Sequence, residues 1–442
     1  MTDRHSLLST AQATELRATV RGRTWVPGDD GFDHARQPWN LAIDQPAAAV
    51  VEARDVTDVI ALVHFAAATG VSIATQPNGH GASGRTAGAI LLRTAPLADI
   101  EIDAENRLAR IGAGVSSGEL QRATAAYGLT ALPGSSPVVS VTGVALGGGL
   151  SWFGRAFGWV AESVTALDVV DAQGRAARVD AEHDAELFWA LRGGGGDYAI
   201  VTGVEIALQE APAVYGGRML WDASHAPAVA RAFREVTAAA PDELTLWLEL
   251  MSFPGANPLV AIDLTYLGPE ATGRELLSAL EALPAPLSDS RGMLSVAELG
   301  SITAEPTDPS PGMSRAELLT RLDDDAITAL LAEPIAPLLA VQVRHLGGAL
   351  AQPSDTPHGA LAEPYGVYLL GSPGLADATS IIDRQQRLAD SLPTSGHKPV
   401  TMLRANEGLA DALPADSLER LRQIKRERDP QGVFRANFSA LV

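Results

Sequence analysis

Residues 46–208 alternate between short apolar runs and short amphipathic stretches, the pattern expected when strands and helices exchange along a chain. Residues 48–51 are continuously apolar and predict a strand. Asp55 stands where a cap is needed ahead of Val59, Leu62, Val63 and Phe65, which share one helical face, and Gly70 supplies a stop. Residues 71–74 predict another strand. Ser116 and Glu119 have capping-box spacing, Leu120, Ala123 and Tyr127 follow on one face, and Gly128 ends that helix. Residues 166–170 and 177–179 flank Ala172-Gln-Gly174 as a hairpin, and Val204, Ile206 and Leu208 alternate as in a half-buried strand.

After Pro212 the texture changes. Longer strand patterns at 244–251, 259–266, 338–346 and 365–370 are separated by predicted helices at 273–283 and 315–324. Gly/Pro/Ser-rich stretches such as Glu305-Pro-Thr-Asp-Pro-Ser-Pro-Gly312 mark loops. This content suits a broad antiparallel sheet covered by helices on one face. From about 395 short elements return, and a helix around Leu418, Leu421 and Ile424 ends at Asp429-Pro430. The expected division is an N-terminal extension (1–30), a first lobe (31–212), an inserted sheet domain (213–394) and a returning segment (395–442).

Composition narrows the function. The chain has 442 residues, enough for two or three structural units, and is 46% hydrophobic and 19% charged, as in a globular protein with a sizeable core. A formal net charge of −20 argues against nucleic-acid partners and against anionic membrane surfaces. With no cysteine, disulfides, thiolate metal sites and thiol nucleophiles are excluded. Met1-Thr-Asp-Arg-His5-Ser lacks a basic region followed by an apolar stretch, and no apolar run is long enough to span a bilayer, so a cytoplasmic enzyme is expected. The Ala, Gly and Arg bias resembles that of GC-rich bacterial genomes. His34, His64, His183, His225, His358 and His397 show no ligand spacing with carboxylates, and no metal site is expected.

The chemistry concentrates in glycine-rich segments. Gln76-Pro-Asn-Gly-His80-Gly-Ala-Ser-Gly84 follows the 71–74 strand. Its glycines let backbone N–H groups approach an anion, and a single imidazole lies in the bend. Thr142-Gly-Val-Ala-Leu-Gly147-Gly-Gly149 and Arg192-Gly-Gly-Gly-Gly196 are further glycine-rich segments. Three such segments point to backbone wrapped around a long ligand.

These residues resemble a known family: the FAD-linked oxidases of the vanillyl-alcohol-oxidase (PCMH-type FAD-binding) superfamily, in the berberine-bridge-enzyme-like branch. Trp39-Asn40, Asn78-Gly-His-Gly-Ala-Ser-Gly84, Gly134-Ser-Ser-Pro137 with Gly143 and Leu146-Gly-Gly-Gly149, Leu187-Phe-Trp-Ala-Leu-Arg-Gly-Gly-Gly-Gly196 and Asp429-Pro-Gln-Gly-Val-Phe-Arg-Ala-Asn437 carry the resemblance in order over nearly the whole chain. It implies an α+β fold in which a two-part FAD-binding domain (31–212 and 395–442) brackets the substrate domain. It implies FAD bound covalently through His80 and contacted by Gln76, Pro77, Asn78, Gly79, Gly81, Ser83, Gly84, Gly134, Ser135, Val139, Thr142, Gly143, Gly147, Gly149, Leu150, Val201 and Asn437. Many relatives use a Cys for a second bond. Ser136 stands there in this chain, which therefore resembles the singly linked, 6-hydroxynicotine-oxidase-like branch.

Two departures stand out. Gln76, Pro77 and Asn78 replace an Arg/Gly-containing sequence, leaving one fewer cation near the phosphates. The family's Tyr-x-Asn, whose Tyr is the catalytic base, aligns with Pro399-Val-Thr401, and Asn406 lies nearby without a Tyr before it. Tyr365 and Tyr368 on one strand pattern, pointing to opposite faces, and His345 beside Arg344 on another, are the catalytic candidates, with Glu249 a weaker one. The expected reaction is hydride transfer from a small alcohol, amine or secondary metabolite to FAD, with O2 as acceptor and H2O2 released. A redox-neutral flavoprotein cyclase and a drug-binding or resistance protein are the alternatives.

Overall fold

The computed structural model describes residues 8–211 and 213–441. In the first lobe, strands Arg23–Trp25, Ala49–Glu52, Ile90–Arg93 and Ile73–Thr75 form a sheet in that order. The 49–52 and 73–75 strands both run parallel to 90–93. Helix Val56–Thr69 makes the crossover between them. The Asp55 carboxylate accepts from the Thr57 and Asp58 N–H groups at its start, and Gly70 closes it at φ 72°. Val59, Leu62, Val63 and Phe65 go into the core beneath the sheet.

Residues 8–30, expected to be an extension, are built into this lobe. The 23–25 strand pairs with 49–52, and Leu16 of helix Thr10–Thr19 joins the same core. The signal in the sequence was thin, because only Ala13, Leu16 and Val20 are buried there among the described residues.

A second, antiparallel sheet has the order Ile100–Asp103, Leu108–Gly112, Ile200–Ala207, Val164–Val170, Ala176–Asp180. The predicted hairpin is its 164–170/176–180 pair. The 142–149 segment differs from a plain glycine loop. Ser140 caps a short helix, Val141–Leu146, by accepting from the Gly143 N–H, and only Gly148 and Gly149 turn left-handed.

The inserted domain is an eight-stranded sheet. Its core runs Val214–Asp222, Leu259–Tyr266, Leu244–Met251, Ala340–His345, Tyr365–Gly371, Met313–Leu319. Leu244, Leu246, Leu248 and Leu250 pack against helices Ala226–Ala239, Asp324–Leu331 and Ala378–Ser391. The alternate side chains face the first lobe. Trp247 packs with that lobe's core, and Thr265 donates to the Trp152 carbonyl. The helix predicted at 315–324 is instead the 313–319 strand, followed by a helix whose N-cap is Asp323. Leu318 and Leu319 fit either period, and seven register pairs with the 365–371 strand decide the outcome. The predicted 273–283 helix is broken into Glu270–Leu276 and Ser278–Glu281.

The chain then returns to the first lobe. Ile73 donates to the Val433 carbonyl at 2.7 Å and accepts from the Arg435 N–H at 2.8 Å, extending the first sheet. Asp429 holds this return in place. Its carboxylate takes the Lys425 ammonium at 2.7 Å and the Val433 and Phe434 N–H groups at 2.8 Å.

Candidate active site

The 76–84 loop leaves the 73–75 strand and is braced on three sides. Gln76 Nε2 donates to Gln45 Oε1 at 2.6 Å and to Asn437 Oδ1 at 3.3 Å. Asn78 Nδ2 donates to the Val138 carbonyl at 2.6 Å, tying the loop to the 134–140 segment, while the Asn78 carbonyl accepts from the Trp39 N–H. Ser83 Oγ donates to the Asn437 carbonyl at 2.9 Å. Gly79 sits at φ +80°, and a Cβ there would meet Pro38 at 2.8 Å, so the bend requires glycine. At Gly81 an added Cβ meets nothing within 4 Å, which leaves open space beside His80. Pro77 is half-buried within the bend, and Gly84 is a left-handed turn against Asp44.

His80 stacks on Trp39 with ring centroids 4.3 Å apart. Burial lowers its pKa to about 4, so the ring is neutral at pH 7. Neither ring nitrogen has a hydrogen-bond partner. The same is true of Trp39 Nε1, Gln76 Oε1, Thr86 Oγ1, Ser136 Oγ and Thr142 Oγ1, all buried. Each such group costs about 1–3 kcal/mol if left unpaired. Their concentration along the loop and the 134–142 segment marks a place where a ligand's polar atoms belong. Donors, acceptors and glycine-lined space of this kind fit FAD.

The remaining expected contacts fall elsewhere in the first lobe. Gly134 and Val139 line a small cleft with Val141, Val144 and Val160. Ser135 is half-buried in the adjoining bend, and Val201 is buried in the 200–207 strand. A Cβ on Gly147 would lie 2.6 Å from Thr401, and one on Gly149 2.5 Å from Val144, so both glycines serve close packing. Gly143 lies within the short helix.

Leu150 leads to a second, narrow cleft, lined also by Glu317, Leu318, Arg344, Leu346, Tyr368, Pro399 and Met402. Of the two tyrosines, Tyr368 is there and Tyr365 is not. Tyr365 points into the helix-covered core and shares a hydrogen bond of 2.7 Å with Thr237. His345 is register-paired with Tyr365, their rings 5.8 Å apart, and is likewise buried away from the cavity. Burial and the Arg155 charge hold its pKa at about 3. Glu249 faces the first lobe but is engaged by Arg218 at 2.5 Å and Gln342 at 3.0 Å. Thr401 packs on Gly147, and Asn406 is exposed.

The strand pattern did not single out the aromatic and cationic groups on the sheet's inner face. Trp152 stacks on Trp247 at 3.8 Å, and Arg344 lies over Trp247 at 4.2 Å and over Tyr368 at 5.3 Å. The signal available was alternation: Trp247, Arg344 and Tyr368 all fall on the face opposite the leucine-rich one. Among the described residues no group of three or more His, Asp or Glu converges as a metal holder, and no helix is long and apolar enough to cross a membrane.

Comparison with known proteins agrees with this geometry. Residues 47–180 match a family model described as an FAD binding domain. Over 98% of this chain and 99% of the relative, the sequence is 28% identical to (R)-6-hydroxynicotine oxidase of Paenarthrobacter nicotinovorans. The chain thus carries an FAD-binding domain and resembles an FAD-linked oxidase over its whole length. An uncharacterized FAD-linked oxidoreductase of Bacillus subtilis is 27% identical over 60% of this chain and 59% of its own. Among solved structures, a berberine-bridge-enzyme-like protein of Physcomitrella patens superposes with a TM-score of 0.85 at 21% identity, covering 97% of this chain and 98% of that one. A chitooligosaccharide oxidase superposes with a TM-score of 0.83 at 18% identity, covering 97% and 99%. The glycine-rich loops lie on the first lobe, and the cleft lined by Leu150, Arg344 and Tyr368 lies where that lobe meets the inserted sheet.

Proposed function

We propose that this oxidoreductase is an oxidase that removes a hydride and a proton from a small organic substrate, with FAD attached through His80, and passes both electrons to O2 to release H2O2. One observation carries the covalent part: a neutral imidazole, stacked on Trp39, with both nitrogens buried and unpartnered. Such a nitrogen has a free lone pair with which to bond carbon. Bound FAD supplies the two-electron acceptor. The chain supplies everything else. The 76–84 loop cradles the polar tail, Ser136 and Thr142 offer hydroxyls, and the sheet holds the substrate.

Tyr368 is the hydroxyl best located to touch that substrate. Burial raises its pKa above the usual phenol value, so at neutral pH it donates a hydrogen bond rather than removing a proton. This favours a substrate that needs no strong base, such as an amine whose lone pair assists loss of hydride from the adjacent carbon.

Acid-precipitated protein should keep its yellow colour in the pellet, and His80→Ala should lose it. A colourless wild-type pellet would exclude the linkage. H2O2 formed on adding a substrate amine, with bleaching under nitrogen, supports the oxidase. The missing Tyr-x-Asn favours the redox-neutral cyclase instead, and turnover without bleaching or peroxide would establish it.

A further inference from the structure

Arg344 is a cation without an anion. Its guanidinium donates to Gln342 Oε1, at 3.1 Å through Nε and 2.8 Å through Nη2. Its faces lie against Trp247 and Tyr368. Among the described residues no carboxylate comes within 4 Å of it. Arg218 on the same sheet face shows the contrast, with Asp263 at 2.6 Å and Glu249 at 2.5 Å. Gln342 separates the two systems, since its Nε2 donates to Glu249 while its Oε1 accepts from Arg344. Glu305 and Glu249 act on Arg344 only from further off. Lys398, the other nearby cation, is already held by Glu407 at 2.8 Å and Glu317 at 3.4 Å.

Arg344 is half-buried, and a cation drawn out of water is costly unless something pairs with it. Arg344 also lines the narrow cleft whose other walls include Leu150, Leu318, Leu346 and Val367, with Glu317 there already paired to Arg315 and Lys398. A guanidinium has five N–H donors, and an amide oxygen occupies only one edge of this fork. Its remaining donors suit a planar oxyanion bound through two parallel hydrogen bonds.

We propose that the cavity takes a substrate with a carboxylate on an apolar body, the carboxylate held by Arg344 and the body by the leucines. This rests on the cavity being the substrate site. Neutral analogues of the same shape leave the cation unpaired and bind poorly.

The test uses the purified holoenzyme and two probes of equal shape, benzoate and benzamide, followed by tryptophan fluorescence, because Trp247 stacks on the guanidinium. Benzoate should bind saturably and about tenfold or more tighter than benzamide. Arg344→Gln should abolish that preference while benzamide binding stays as in the wild type. Equal wild-type affinity for both probes overturns the proposal, as does wild-type benzoate affinity in Arg344→Gln. Should that variant not fold, the wild-type comparison decides alone. The fluorescence readout separates the two readings. A colourless protein that prefers benzoate keeps the anion site and removes the flavin linkage, whereas a yellow protein without preference does the reverse.

Discussion

Trp152 and Trp247 lie face to face, ring centroids 3.8 Å apart and planes 17° from parallel. The first directly follows Leu150-Ser151 of the glycine-rich segment, and the second sits on the inner face of the inserted sheet. The pair is therefore a rivet between the lobes, and it sets the height at which Arg344 rests. Trp247→Ala should cost about 3–5 kcal/mol through the lost burial and stack. Trp247→Phe should cost markedly less. Thermal melts of the two variants check this, and an unchanged melting temperature for the alanine variant would refute the rivet.

The two tyrosines of one strand should part company. Tyr365→Phe loses the bond to Thr237 and should lower stability by about 1 kcal/mol with turnover intact. Tyr368→Phe should leave the melt near normal and lower kcat/KM about tenfold or more. Steady-state kinetics beside melting curves separate them. The opposite pattern would mean that the sheet presents its other face to the substrate.

Gly148 is constrained twice. It adopts φ +89°, and a Cβ there would lie 2.4 Å from the His358 ring. Gly148→Ala should cost about 1–2 kcal/mol from the backbone alone, plus a steric part. His358→Ala in the same chain should recover the steric part and not the backbone part. A double-mutant cycle measures the coupling. Purely additive losses would show that the contact carries no energy.

Acid should weaken the fold before its carboxylates matter. Burial lowers the pKa of His345 to about 3 and of His358 to about 4, against about 6.5 for free histidine. Unfolding lets both rings take a proton that the folded state refuses. Stability therefore rises with pH between about 4 and 6.5 and levels off above that window. Calorimetry at pH 5 in buffers of different ionisation enthalpy should find uptake of roughly two protons from this pair on unfolding. Uptake near zero would mean that the rings are already charged in the native protein.

The elements that frame the glycine-rich loops were largely legible because their signals are local. Asp55, Gly70 and the Ser116–Glu119 box act within one turn, and Gly79 and Gly84 are demanded by their own backbone angles. The substrate cavity was not, because it depends on register between strands far apart in sequence. Alternation put Tyr365 and Tyr368 on opposite faces, but only the position of helices 226–239 and 324–331 settles which face is inside. Arg344 looked like a neighbour of His345, and its partners Trp247 and Gln342 emerge only once 340–345 pairs with 244–251. The 313–319 strand has the same origin: its residues fit two periods, and pairing with the 365–371 strand decides between them.

The Asn437 carboxamide touches both Gln76 and Ser83, across 361 and 354 positions of sequence. The nest for the dinucleotide is thus finished by residues translated after the whole inserted sheet. A nascent first lobe emerging alone has its glycine bends but lacks the clasp that steadies them. The glycine bends and the clasp that steadies them thus come from opposite ends of the chain, and the nest is whole only where residues 435–437 pack back on the first lobe.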